Sequence, residues 1–160
     1  VPEIPASNLR SLTEAPERSL GRVTVMTIEP PNVRPPGHPM SERIAGDEQY
    51  HSLAPALWRL ALHGPRGKLL QEIGGTAAYR VLRNPRVDDL PLPGALTPAA
   101  DRLRRESASL KQIADWPGMS PERGARLLNA LYLGSNLMVS RSAPAARPEP
   151  KRGLFGWLGR

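Results

Sequence analysis

Apolar residues in "SLAPALWRLALHG" fall at Leu53, Ala56, Leu57, Leu60 and Ala61. This is the i, i+3, i+4, i+7, i+8 spacing of a helix with one buried stripe. Ser52 is placed to cap its start, Pro55 is tolerated in the first turn, and Gly64 is expected to close it in a left-handed conformation. The period then shortens. "GKLLQEI" and "AYRVLR", separated by Gly74 and Gly75, predict a β-hairpin with the glycines at its turn. After the proline-punctuated loop "NPRVDDLPLPGALTP", helical spacing returns over residues 98–106, 110–116 and 121–133. Ser109 caps the second of these helices and Ser120, followed by Pro121 and Glu122, caps the third. Gly134 ends it, and "NLMVSR" predicts a short closing strand.

The rest of the chain has a different texture. Residues 1–20 carry Pro2, Pro5 and Pro16 without a sustained period and predict an extended lead-in. "GRVTVMTIEP" concentrates β-branched residues and predicts a single strand, which runs into the polyproline-like connector "PPNVRPPGHP". From Ser142 onward "SAPAARPEP" is a linker before the terminal "KRGLFGWLGR". The expected organisation is an extended arm over 1–49, an α+β domain over 50–141, and a basic linker with an apolar tail over 142–160. No internal repeat is evident. The chain opens on Val1, so it is expected to be part of something longer.

The segment "SLKQIADWPGMSPERGARLLNAL" has the make-up of a helix-turn-helix. A short helix carries Leu110, Ile113 and Ala114, the chain reverses at Pro117 and Gly118, and a capped helix carries Gly124, Leu127, Leu128 and Leu131. Together with Gly134 and the apolar strand after it, residues 97–141 resemble the recognition helix and first wing strand of winged helix-turn-helix domains. Residues 50–141 as a whole are also similar, in element order, to the PATAN type of module appended to bacterial signalling proteins. The resemblance implies a small winged-helix-like helical core with a short β-hairpin, flanked by Pro-rich arms.

On a wheel of 100° per residue, Gly124, Leu127, Leu128 and Leu131 point inward, which leaves Glu122, Arg126, Asn129 and Leu133 on the outer face and Arg123 at its boundary. Arg126 and Asn129 suit base edges in a major groove. Glu122 repels phosphate, and Leu133 suits a protein surface. Protein contact through Arg123, Arg126, Asn129 and Leu133 is therefore the leading expectation. The alternative is a dimeric DNA-binding regulator in which Arg126 and Asn129 meet bases while Arg102, Arg104 and Arg105 of "DRLRRES" meet phosphates. The same three arginines also fit the solvated side of an amphipathic helix, with Leu103 inward. In the tail, Phe155 and Trp157 among Lys151, Arg152 and Arg160 suggest a second contact, either a partner's groove or a membrane surface.

Composition sharpens this reading. The 160 residues include 19 prolines, 14 glycines and only seven aromatic residues, enough for one core with arms. A net charge of +7, with the excess after residue 50, suits nucleic acid, acidic lipid or an acidic protein. The chain has no cysteine, which excludes thiol catalysis and thiolate metal sites and leans towards the cytoplasm. His38, His51 and His63 lack metal-ligand spacing, "HGPRGKL" lacks the phosphate-loop spacing, and no serine stands in a nucleophile elbow. The expectation is a non-enzymatic bacterial regulatory or interaction module without cofactor or metal.

Overall fold

The computed structural model describes residues 3–5, 16–22, 50–83 and 89–142. In chain order they form β1 (Glu3–Pro5), α1 (Glu17–Leu20), β2 (Tyr50–Ser52), α2 (Ala54–His63), a 3-10 turn (Gln71–Ile73), β3 (Ala78–Val81), α3 (Leu96–Arg105), α4 (Leu110–Ala114), α5 (Pro121–Leu133) and β4 (Leu137–Ser140). β1 pairs with β2 and β3 with β4, both antiparallel, so the fold is α+β. The expected strand over 23–28, the polyproline connector and the C-terminal tail lie outside the described residues.

Capping chemistry fixes α4 and α5. The Ser109 backbone N–H donates to Gln112 Oε1 at 2.9 Å and the Gln112 N–H donates to Ser109 Oγ at 3.4 Å, a reciprocal capping box. Ser120 Oγ accepts from the Arg123 N–H at 3.1 Å, with Pro121 at the first helical position. Between the helices Gly118 adopts φ +72°, where an L side chain is strained, and a Cβ there would stand 2.8 Å from the Ala95 Cβ. Gly124 lets the helices close on one another, since a Cβ at that point would meet Leu110 Cδ1 at 2.9 Å and Ile113 Cγ2 at 3.3 Å. Leu103, Ile113, Leu127 and Leu128 are fully buried beneath this pair. Each contributes roughly 1.5–3 kcal/mol of transfer free energy.

Five expectations are corrected. Ser52 belongs to β2, Leu53 is the N-cap of α2, and Gly64 is extended at φ −71°, ψ −178°. The buried stripe of α2 is rotated onto Ala54, Ala56, Trp58 and Leu62, leaving Leu53, Leu57, Leu60 and Ala61 half-buried. Trp58 decides that rotation: it is the largest apolar side chain of the helix, and its indole Nε1 donates to the Pro91 carbonyl at 2.9 Å. Residues 68–73 are no hairpin arm, because the Gly74 N–H closes a 3-10 turn onto Gln71 O at 3.2 Å and β3 finds its partner in β4 instead. The lead-in also contains a helical turn, α1, which packs on α2 and buries Leu20.

β3 is the hinge of the second half. Tyr79 pairs with Val139 and Arg80 with Met138 on the β4 side. On the opposite side Tyr79 exchanges both backbone bonds with Ala108, its N–H reaching Ala108 O at 2.8 Å and its carbonyl accepting from Ala108 N at 3.1 Å. Three chain segments therefore lie side by side in the order Ala108, β3, β4. The buried Tyr79 ring sends its hydroxyl to the Ile73 carbonyl at 2.6 Å, and Arg141, just past β4, donates to Gly74 O at 2.9 Å.

Two outcomes follow from this packing. Gly118→Ala is expected to lower unfolding stability by at least about 1–2 kcal/mol, from the left-handed backbone alone, as read from the urea midpoint; an unchanged midpoint would contradict the turn described. Burial raises the Tyr79 hydroxyl above its ordinary pKa, an effect Arg141 partly opposes. Because the folded state holds this proton more tightly than the unfolded chain, the corresponding stability is complete below pH about 10 and is lost as pH rises through the folded value. Tyr79→Phe should cost about 1 kcal/mol at neutral pH and flatten that alkaline loss in pH-dependent denaturation.

Candidate interaction surface

The helix face expected to look outward is covered. Asn129 is buried, with its Oδ1 accepting from the Leu70 N–H at 3.0 Å and its Nδ2 donating to the Lys68 carbonyl at 3.0 Å. Arg126 leaves one-fifth of its side chain exposed. Its guanidinium donates to Leu62 O at 3.0 Å and Gly64 O at 2.7 Å, and pairs with Glu122. These are the carbonyls at the end of α2, where a cation is favoured by the helix dipole and by groups lacking an intrahelical partner. Asn129 and Arg126 are thus a clamp on residues 62–70. The wheel places them correctly opposite the leucines; it cannot show that α2 lies on that side as well.

The remaining expected contacts are dispersed. Arg123 is exposed, with its Nη1 donating to Gly118 O at 2.6 Å, and Leu133 is half-buried. Arg102 lies over the Trp116 ring, 4.5 Å from its centroid, and pairs with Glu106. Arg104 pairs with Asp101 at 2.6 Å, while Arg105 is exposed. Two of the three arginines expected to meet phosphate are therefore charge-matched by acidic residues of α3 and its C-cap. Phe155 and Trp157 lie outside the described residues.

Two concavities lie among the described residues. The first, about 480 Å³, lies where the end of α2 meets the start of α5, with His63, Glu122, Arg123 and Arg126 on its wall. Its two arginines are already engaged by backbone carbonyls or Glu122, which leaves little unsatisfied chemistry. The second, an open groove of about 870 Å³, runs over the outer side of the β3–β4 pair and is lined by Arg80, Val81, Leu82, Arg83, Arg104 and Met138. Here Leu82 is 45% exposed and Met138 41% exposed, and both are among the large apolar side chains that stand in solvent among the described residues.

No family model, curated protein or solved structure matches the chain. Strand alternation builds the groove: Tyr79 and Val81 turn inward to the core, so Arg80 and Leu82 share the outer side, and Met138 stands opposite Arg80 between the inward Leu137 and Val139. The last turn of α3 adds Arg104. The signal in the sequence is a leucine and a methionine on the polar phase of two strands, visible only once the strands are known to be partners. Among the described residues, no helix is long and apolar enough to cross a membrane, and no three His, Asp or Glu side chains gather as a metal site.

The clamp makes a direct prediction. Asn129→Ala should lower unfolding stability by about 1–3 kcal/mol, because the backbone groups of Lys68 and Leu70 lose their partner. A base-reading asparagine on an open face would tolerate the change within roughly 0.5 kcal/mol in the same denaturation experiment.

Proposed function

We propose that the chain is a non-enzymatic, winged-helix-like regulatory module that binds another protein through the outer side of its strand pair. What supports the winged-helix reading is the succession of α3, the bridge at Ala108, α4, the Gly118 turn, α5 and β4. In this reading the central strand of the wing comes from β3, ahead of the helices in the chain. The single observation that carries the interaction reading is the pair of exposed apolar residues, Leu82 and Met138, set among Arg80, Arg83 and Arg104. An apolar centre with a charged rim is the make-up of a protein contact.

The DNA reading loses its main support where α5 spends Asn129 and Arg126 on residues 62–70. A groove-reading helix needs those side chains in solvent. The arginines of α3 are likewise half spent on Asp101, Glu106 and Trp116.

The test uses a photo-crosslinking amino acid placed at Leu82, at Met138 or, as control, at the exposed Asp115. In cells expressing the chain, protein adducts are expected from the first two positions, absent from the third, and weakened by the Arg80→Glu, Arg83→Glu double variant. Adducts that ignore position would sink the reading. So would a duplex bound at low salt with affinity falling steeply as salt rises, the mark of phosphate contacts.

A further inference from the structure

Met138 on the groove wall belongs to β4, whose far side is an open strand edge, and backbone geometry says which groups line it. Tyr79 spends its N–H and its carbonyl on Ala108. In an antiparallel ladder, a residue bonded on one side meets its other neighbour across a non-bonded pair. Val139, opposite Tyr79, therefore aims its own N–H and C=O away from β3, and so does Leu137, opposite Val81. The bond from the Leu82 N–H to Asn136 O at 2.7 Å keeps the same alternation beyond the strand. Among the described residues nothing pairs with the outer edge of β4 at Leu137 and Val139.

We propose that β4 accepts an extended segment of a partner protein as an added strand, one in which glutamates or aspartates alternate with aliphatic residues. This rests on the interaction reading above and specifies its partner. Pairing supplies main-chain hydrogen bonds to Leu137 and Val139, while alternate side chains supply specificity. The aliphatic residues of the incoming strand continue the inward row begun by Leu137 and Val139, which already pack against the core. Its acidic residues fall on the outer side, beside Met138. An added strand lies about 4.8 Å beyond β4 and therefore about 9.6 Å from β3, a distance that Arg80, opposite Met138, and a facing glutamate close by reaching over Met138 from both sides. Arg83 adds to the positive field of the groove, while Arg104, already paired with Asp101, lines its far wall.

Two other occupants fit less well. A second copy pairing β4 to β4 would repeat the same arginines about a dyad in a chain already at +7. Nucleic acid would answer the arginines but leave Leu82, Met138 and the edge groups of Val139 without partners.

The experiment uses the full chain and a synthetic peptide of alternating Glu and Val or Ile, with fluorescence anisotropy for affinity and amide NMR for location. Binding is expected, with the largest amide shifts at Leu137 and Val139. Replacing every Glu of the peptide by Lys, or N-methylating its alternate amides, should weaken binding by at least about tenfold, as should Arg80→Glu with Arg83→Glu in the protein. Val139→Pro removes an edge N–H and should abolish binding. The methylated peptide makes the same test without altering the protein, should that variant fail to fold. Equal binding of the Lys peptide overturns the charge argument, and equal binding of the methylated peptide overturns strand pairing. A dimer in sedimentation that Val139→Pro dissolves, or peptide displacement by a duplex oligonucleotide, assigns the edge to another occupant. If the peptide does not bind while crosslinks from Leu82 and Met138 persist, strand addition falls and the interaction reading stands; if both fail, both fall.

Discussion

A chain that ends a helix and then runs along the side of another must find partners for its backbone polar groups, and here α5 supplies them. Arg126 takes the terminal carbonyls of α2 at Leu62 and Gly64, and Asn129 takes one donor and one acceptor from Leu70 and Lys68. Without those side chains, residues 62–70 could not lie against α5 except at a cost of about 1–3 kcal/mol for each unsatisfied group. The seating of this segment controls what comes next: the 3-10 turn at Gln71–Ile73, the Ile73 carbonyl that receives the Tyr79 hydroxyl, and hence the height at which β3 enters the sheet.

That dependence explains which parts of the fold were legible in the sequence. The capped helices could be read because their signals are local: Ser109 with Gln112, Ser120 with Pro121, and Gly118 in the turn all act within a few residues of themselves. The strand after Gly134 was legible for the same reason. The β3 partner was not, since Tyr79 and Val139 are brought together by the whole intervening helical unit and no turn joins them. The hairpin reading failed because two glycines next to a strand look alike whether the preceding residues pair or wind into a 3-10 turn. Asn129, read over the strand-like "KLL", decides for the second.

The candidate site was less legible than the fold, and the reason is a limit of helical wheels. A wheel sorts residues by angle about one axis and places Arg126 and Asn129 opposite the leucines, but a helix can be packed on two sides. α5 has the α3–α4 unit and the sheet against one flank and α2 against another, so polar residues on the second flank become internal fasteners. A polar residue at the centre of a helix with small and apolar neighbours such as Ala125, Leu128 and Ala130 is a warning of this kind. Desolvating it costs less than leaving the facing backbone unpaired.

With Arg126 and Asn129 spent on residues 62–70, the most exposed large apolar side chains among the described residues, Leu82 and Met138, lie on or beside the strands. Exposed leucine or methionine taken singly is ordinary on a protein surface. Leu82 and Met138 differ because they stand together on the outer side of one strand pair and beside an edge whose backbone groups point away from their neighbour. Natural sheets protect such edges with charge, and Arg80, on the strand beside the edge and opposite Met138, brings a long charged side chain to that outer side. In the proposed strand addition, the charge that disfavours pairing with a second positively charged copy is also what would favour a negatively charged strand. Protection against the wrong partner and selection of the right one are then one electrostatic arrangement.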